Sequence, residues 1–315
     1  MRALIRWVAK YGDETVAILL TLTLFVLGWQ DVVGANTINN TILLVLAVMI
    51  AGNLRDRFAA RTMHQQLVAE LASSSEIRIL TGNQVSIELR AALHDTELWH
   101  FRGGTGTYLR AVTLPQCVAN ARERRRSVAM RIEIIDPTDA TVCARYSSFR
   151  SSVPSSGPVD AEPWTVERTR KEAYATILAA YWYRQRNDLL MVEVGLTDKM
   201  TTFRWDMSST AVIQTQESAA GQALLFAHGK TYYQYWRMEL ERSFAQTRHV
   251  RIGGAGAVAV GEEPSVDEVT ELFEALEVPL PLEFGPREVS EIIVKALDPP
   301  NLYSGWEEPH LSGGR

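Results

Sequence analysis

Two long stretches without a charged residue, both within the first sixty positions, constrain this chain more than any other feature. Residues 15–30 lie uncharged between Glu14 and Asp31, and a second uncharged stretch runs over 32–54, with its most apolar part at 41–52. The polar segment 34–40 separates them, so the pattern predicts a two-helix transmembrane hairpin over 1–56. Arg2, Arg6 and Lys10 precede the first stretch, Arg55, Arg57 and Arg61 follow the second, and the loop between them carries no Lys or Arg. That bias places both termini on the cytoplasmic side of the inner (cell) membrane, with the lipid bilayer as a partner. Trp7 and Trp29 flank the first stretch where interfacial aromatics belong. The segment from Val16 to Trp29 rises about 21 Å, short of a hydrocarbon core of about 30 Å. Such a hairpin relieves the mismatch by thinning the bilayer or by self-association into a homo-oligomer and pore, with simple tethering as the competing reading. An amphipathic connector helix is expected over 57–74, apolar at Phe58, Leu67, Val68 and Leu71.

Beyond the connector, short apolar runs alternate with segments of helical period. Strands are expected over 76–80, 98–102 and 128–135, with helices over 84–93, 108–125 and 140–149. After a Ser/Pro-rich loop at 151–163 come a long helix over 164–184, strands near 189–194, 202–205, 211–215 and 222–226, and a helix over 230–248. This alternation marks an α/β fold with a largely parallel sheet, a cytoplasmic mixed α/β ligand-sensing domain over 75–252. Charge separates that body from the C-terminal sixty or so residues. Residues 253–315 hold thirteen Asp/Glu against three Lys/Arg, a net of 3 − 13 = −10, in a chain whose formal net charge is −5. Two short helices, 265–276 and 286–297, behind the flexible glycines near 253 make this an acidic helical tail: a solvated appendage, a screen for a basic surface, or a scaffold for a partner.

Cys117 and Cys143 both fall in helical segments, so no disulfide framework is implied, and six scattered His offer no metal spacing. The sequence calls for no cofactor. Its most informative stretch is the strand ending at Arg102, followed by Gly103, Gly104, Thr105, Gly106 and Thr107 and then a helix containing Arg110. A strand running through glycines into a helix presents backbone N–H groups and a positive dipole end at the carboxyl edge of a sheet, where phosphates bind. Those seven residues are the expected phosphate or nucleic-acid site. The competing reading is a tight turn that only needs glycine. Arg124, Arg125 and Arg126 would extend the basic track, or else form a solvated helix end. Tyr108 and Trp236 are candidates for base stacking, against the alternative that they are core.

No catalytic residue is expected. His100 and His228 stand where a two-histidine phosphodiesterase would place its pair, but His228 has Lys230 with no following Asp, and His100 has Arg102 in place of Lys. The Gly-rich turn, then Ile134, Ile135, Asp136, Pro137 and Thr138 after a strand, then the stretch 225–236 resemble the phospholipase-D-like fold in a degenerate form over about 75–250. A degenerate domain of this kind behind two membrane helices is similar to membrane effectors of bacterial anti-phage defence of the Hailong type. The resemblance implies a membrane effector whose cytoplasmic domain binds a nucleotide or single-stranded DNA end. By this resemblance ligand occupancy controls assembly of the membrane helices into a pore, and a nucleotidyltransferase encoded nearby would be a further partner. A membrane-anchored phosphodiesterase or nuclease using His100 or His228 is the alternative.

Overall fold

The computed structural model describes residues 76–153, 163–216, 222–253 and 258–299. Among them no helix is long and apolar enough to cross a membrane. That finding corrects the expected fold class: the described architecture contains no membrane-spanning hairpin, and the segments 1–56 and 57–74 assigned to hairpin and connector lie outside the described residues.

The described residues form a mixed α/β domain. Its strands are β1 (Arg78–Leu80), β2 (Leu98–Arg102), β3 (Val128–Ile135), β4 (Leu190–Thr197), β5 (Phe203–Ser208), β6 (Ala211–Gln216), β7 (Ala223–Ala227) and β8 (Arg248–Val250). Its helices are α1 (Gln84–His94), α2 (Leu114–Arg124, entered through a π-turn at Leu109–Thr113), α3 (Ala140–Ser152), α4 (Val166–Gln185), α5 (Thr231–Ala245), α6 (Val266–Ala275) and α7 (Pro286–Leu297). The strands form one sheet in the order β1-β7-β6-β5-β2-β3-β4-β8. Only β2, β3 and β4 pair in parallel, and every other pairing is antiparallel. The expectation of a largely parallel sheet fails because β5, β6 and β7 follow one another too closely for a crossover helix, which a parallel pairing requires. Between β5 and β6 the turn is closed by the Ser208 hydroxyl, which accepts from the Thr210 and Ala211 amides.

The two faces of the sheet are unequally covered. One face carries the large core under α1 to α4, with Trp99, Phe101, Met130, Ile132 and Ile134 sealed beneath them. Helix α4 is buried around most of its circumference because α6 and α7 pack on its far side. The other face is covered by α5 over a smaller cluster of Trp205, Met207, Val212, Phe226, Tyr233 and Leu240.

The acidic region is part of the fold, which corrects the expectation of a separate tail beginning at 253. Val269, Leu272, Phe273, Val289 and Ile292 are core residues. The Tyr174 and Tyr181 hydroxyls of α4 donate to the carbonyls of Pro279 and Val258. Acidic side chains meet cations of α4, with Glu291 on Lys171 (2.7 Å) and Glu283 on Arg170 (2.8 Å).

Candidate nucleic-acid interface

The Gly-rich turn after β2 is closed to ligands. Gly103, Gly104, Thr105 and Gly106 are all buried. The Gly103 amide donates to the Glu133 carbonyl, and the Gly104 carbonyl accepts from the Ile135 amide. A Cβ at Gly104 would lie 2.3 Å from the Tyr146 ring, and one at Gly106, where φ is +77°, would lie 2.9 Å from the Thr176 methyl. The glycines are required because two helices press on the turn, α3 through Tyr146 and α4 through Thr176.

The turn's side chains are equally committed. Thr105 and Thr107 share a hydroxyl hydrogen bond, and the Thr107 hydroxyl donates to Glu172. Arg110 is buried and donates to the Glu172 carboxylate at 2.6 Å, to the Glu172 carbonyl and to the Thr176 hydroxyl. Lys295 of α7 takes the other Glu172 oxygen at 2.8 Å. Burial alone would raise the Glu172 carboxyl, but Arg110 and Lys295 outweigh it and hold it below its ordinary value. The expected phosphate seat at Gly103, Gly104, Thr105, Gly106, Thr107 and Arg110 is therefore a structural network. The π-turn at Leu109–Thr113 has a sequence cause: the Leu114 amide reaches back to the Leu109 carbonyl, and Pro115 has no N–H to continue an ordinary ladder.

Nor does the basic cluster extend a ligand track. From residue 109 the helix climbs about 22 Å to Arg124, at the opposite end of the sheet. There Arg124 pairs with Asp95, Arg126 lies 3.5 Å from Glu97, and Arg125 takes the left-handed helix-ending conformation (φ 53°). Tyr108 is covered by the Arg204 guanidinium at 4.7 Å, and Arg204 also donates to buried Asp206.

The two histidines are far apart. His100 sits on β2 and His228 just beyond β7, three strand spacings away in the sheet order, about 14 Å. His100 is fully buried, edge-on to Phe244 at 5.5 Å, and neither ring nitrogen has a hydrogen-bond partner among the described residues. Burial, with Arg131 and Arg102 adding to it, lowers its pKa to about 3. His228 packs on Tyr233 at 4.9 Å.

Two of the expected residues do come together, on the face covered by α5. Arg102 and Glu133 are register partners on β2 and β3, and Trp205 on β5 is the partner of Arg102 on its other side. The Arg102 guanidinium lies 5.1 Å over the Trp205 ring, and Trp205 touches Trp236 with centroids 5.5 Å apart. From there ring contacts continue to Phe203 beyond Trp205 (5.9 Å), and from Trp236 through Phe226 (5.8 Å) to Tyr232 (6.2 Å) and Tyr235 (6.1 Å). The chain of rings begins in the core and ends in solvent, with Tyr232 44% and Tyr235 61% exposed.

Charge at this place is arranged around Arg102. Its Nε lies 3.2 Å from Glu133 and its Nη1 3.7 Å from Glu239. The Ser243 hydroxyl donates to Glu133 at 2.8 Å, while the other Glu133 carboxylate oxygen and the Trp205 indole nitrogen have no partner among the described residues. Burial raises the Glu133 carboxyl despite Ser243 and Arg102. Unsatisfied buried polar atoms and a perturbed carboxyl beside a stacked arginine make this a functional-site candidate. Nothing in the sequence marks Trp205, Glu133 or Glu239 as site members, since only strand register and the crossing of α5 bring them to Arg102.

No family model and no curated protein matches the chain. Among solved structures, TrmBL2, an archaeal chromatin protein described as showing a novel mode of DNA binding, aligns over 69% of this chain and 72% of its own at 10% identity and a TM-score of 0.33. A similarity of that size carries no argument for either fold or function.

Proposed function

We propose that residues 76–299 form a non-catalytic binding domain for a nucleotide or single-stranded DNA, seated on the aromatic chain beside Arg102. The observation that carries this reading is the run of rings from Trp205 through Trp236 to exposed Tyr232 and Tyr235, with a guanidinium stacked at its inner end. Successive aromatic faces accept bases of any sequence, and a neighbouring cation takes the phosphate. Lys199, exposed and close enough to influence Glu133, adds positive charge to the same end. The sequence resemblance to anti-phage effectors of the Hailong type fits a sensing role, and it makes single-stranded DNA the first probe to try. The phosphodiesterase alternative lacks a comparable observation, because His100 is sealed from any phosphodiester and exposed His228 lies about 14 Å from it, too far for the two to act as a pair.

Tryptophan fluorescence tests the reading directly, since Trp205 and Trp236 report on the site. Short polythymidylate carrying a 5′-phosphate monoester should quench the emission saturably. Tyr235→Ala, at an exposed position, should weaken binding about five-fold or more, at 1–3 kcal/mol per stacked base. Arg102→Ala should weaken it further. An emission indifferent to polythymidylate, or unchanged affinity in both variants, would remove the reading.

A further inference from the structure

We propose that Glu239 is a specificity-determining residue that occupies the outward side of Arg102 in the empty site and must be displaced by an anionic ligand, so that it sets the charge a ligand needs. This inference rests on the binding reading above and adds the chemistry of selection to it.

The two carboxylates on Arg102 are unlike each other. Glu133 is buried, fixed by strand register and by Ser243, and lies at 3.2 Å. Glu239 comes from α5, its side chain is 57% exposed, and its 3.7 Å approach to Nη1 is an ion pair beyond hydrogen-bonding distance. Glu133 is thus part of the wall, while Glu239 is held loosely by a solvent-screened attraction. It shares α5 with Tyr232, Tyr235 and Trp236, so a base stacked on those rings brings its phosphate toward the oxygen position that Glu239 fills. Replacing a carboxylate by a phosphodiester exchanges one negative charge for one and gains nothing from charge. A phosphate monoester carries about −1.5 to −2 at neutral pH and gains from the exchange, with charge-assisted hydrogen bonds to a planar guanidinium in addition. The site accordingly prefers a monoester to a diester, and reads a diester much as it reads an uncharged nucleoside.

Three probes share one base and differ in charge: deoxyadenosine, its 3′,5′-cyclic monophosphate and its 5′-monophosphate. Titration into the full chain should give the 5′-monophosphate the highest affinity, with the cyclic diester no better than the nucleoside. Glu239→Gln keeps size and exposure. It should tighten both anionic probes by up to about five-fold, the range of an exposed ion pair, and leave deoxyadenosine unchanged. If Glu239→Gln alters none of the affinities, or alters all three alike, Glu239 has no such role although the binding site stands. If neither protein binds any of the probes, the binding reading falls and this inference with it.

Discussion

Arg110 shows how a residue of the right type in a suggestive place can be spoken for by its neighbours. A guanidinium one turn after a glycine-rich loop suits a phosphate, yet this one is spent on Glu172 and Thr176 inside the core. Removing one member of a buried pair leaves the other charge uncompensated, so Arg110→Ala should destabilise the domain by about 3–5 kcal/mol in urea unfolding followed by circular dichroism. The same network predicts an acid sensitivity. Glu172 is depressed in the folded state, so its contribution is present above the ordinary carboxylate value of about 4.3 and is lost as pH falls through the lowered value. Arg102 differs in one respect: its strand position turns it to the thinly covered face, where a partner from solvent can reach it.

At the scale of elements, local chemistry governs where helices start and stop. Helix α3 begins where Asp139 accepts from the Thr141 and Val142 amides, and α6 begins in a capping box in which Ser265 accepts from the Glu268 amide while Glu268 accepts from Ser265. Ser265→Ala should cost about 1 kcal/mol in thermal or urea unfolding, because α6 is folded into the core and its loss registers globally. An unchanged midpoint would show that α6 frays independently. The π-turn at Leu109–Thr113 is likewise local in origin, set by Pro115, although periodicity alone reads the segment as continuous helix. The helix expected over 230–248 runs into strand β8, since three residues flanking a helix end carry no alternation of their own.

For the whole molecule, the decisive contact is between α4 and the acidic region. Lys171, Tyr174, Tyr181 and Trp182 each bond to something beyond residue 253. A chain ended before Val258 would expose much of α4, and should lose its near-ultraviolet circular dichroism and elute as an aggregate in gel filtration. Retention of a native signal by that truncated protein would restore the region to a dispensable appendage. The sequence by itself determined the described elements apart from β8 and the π-turn, placing β2, β3 and α7 at their observed bounds and most others within a few residues, because periodicity and caps act within a turn or two of the chain. It also held the clue to antiparallel β5, β6 and β7 in their short connections. Only the tertiary structure decided that the glycine turn is closed by Tyr146 and Thr176, that the acidic helices belong to the core, and that Arg102, Trp205 and Trp236 meet. Burial and pairing depend on neighbours distant in sequence, and a residue's local pattern is the same whether its charge faces a carboxylate of the protein or an anion from solution.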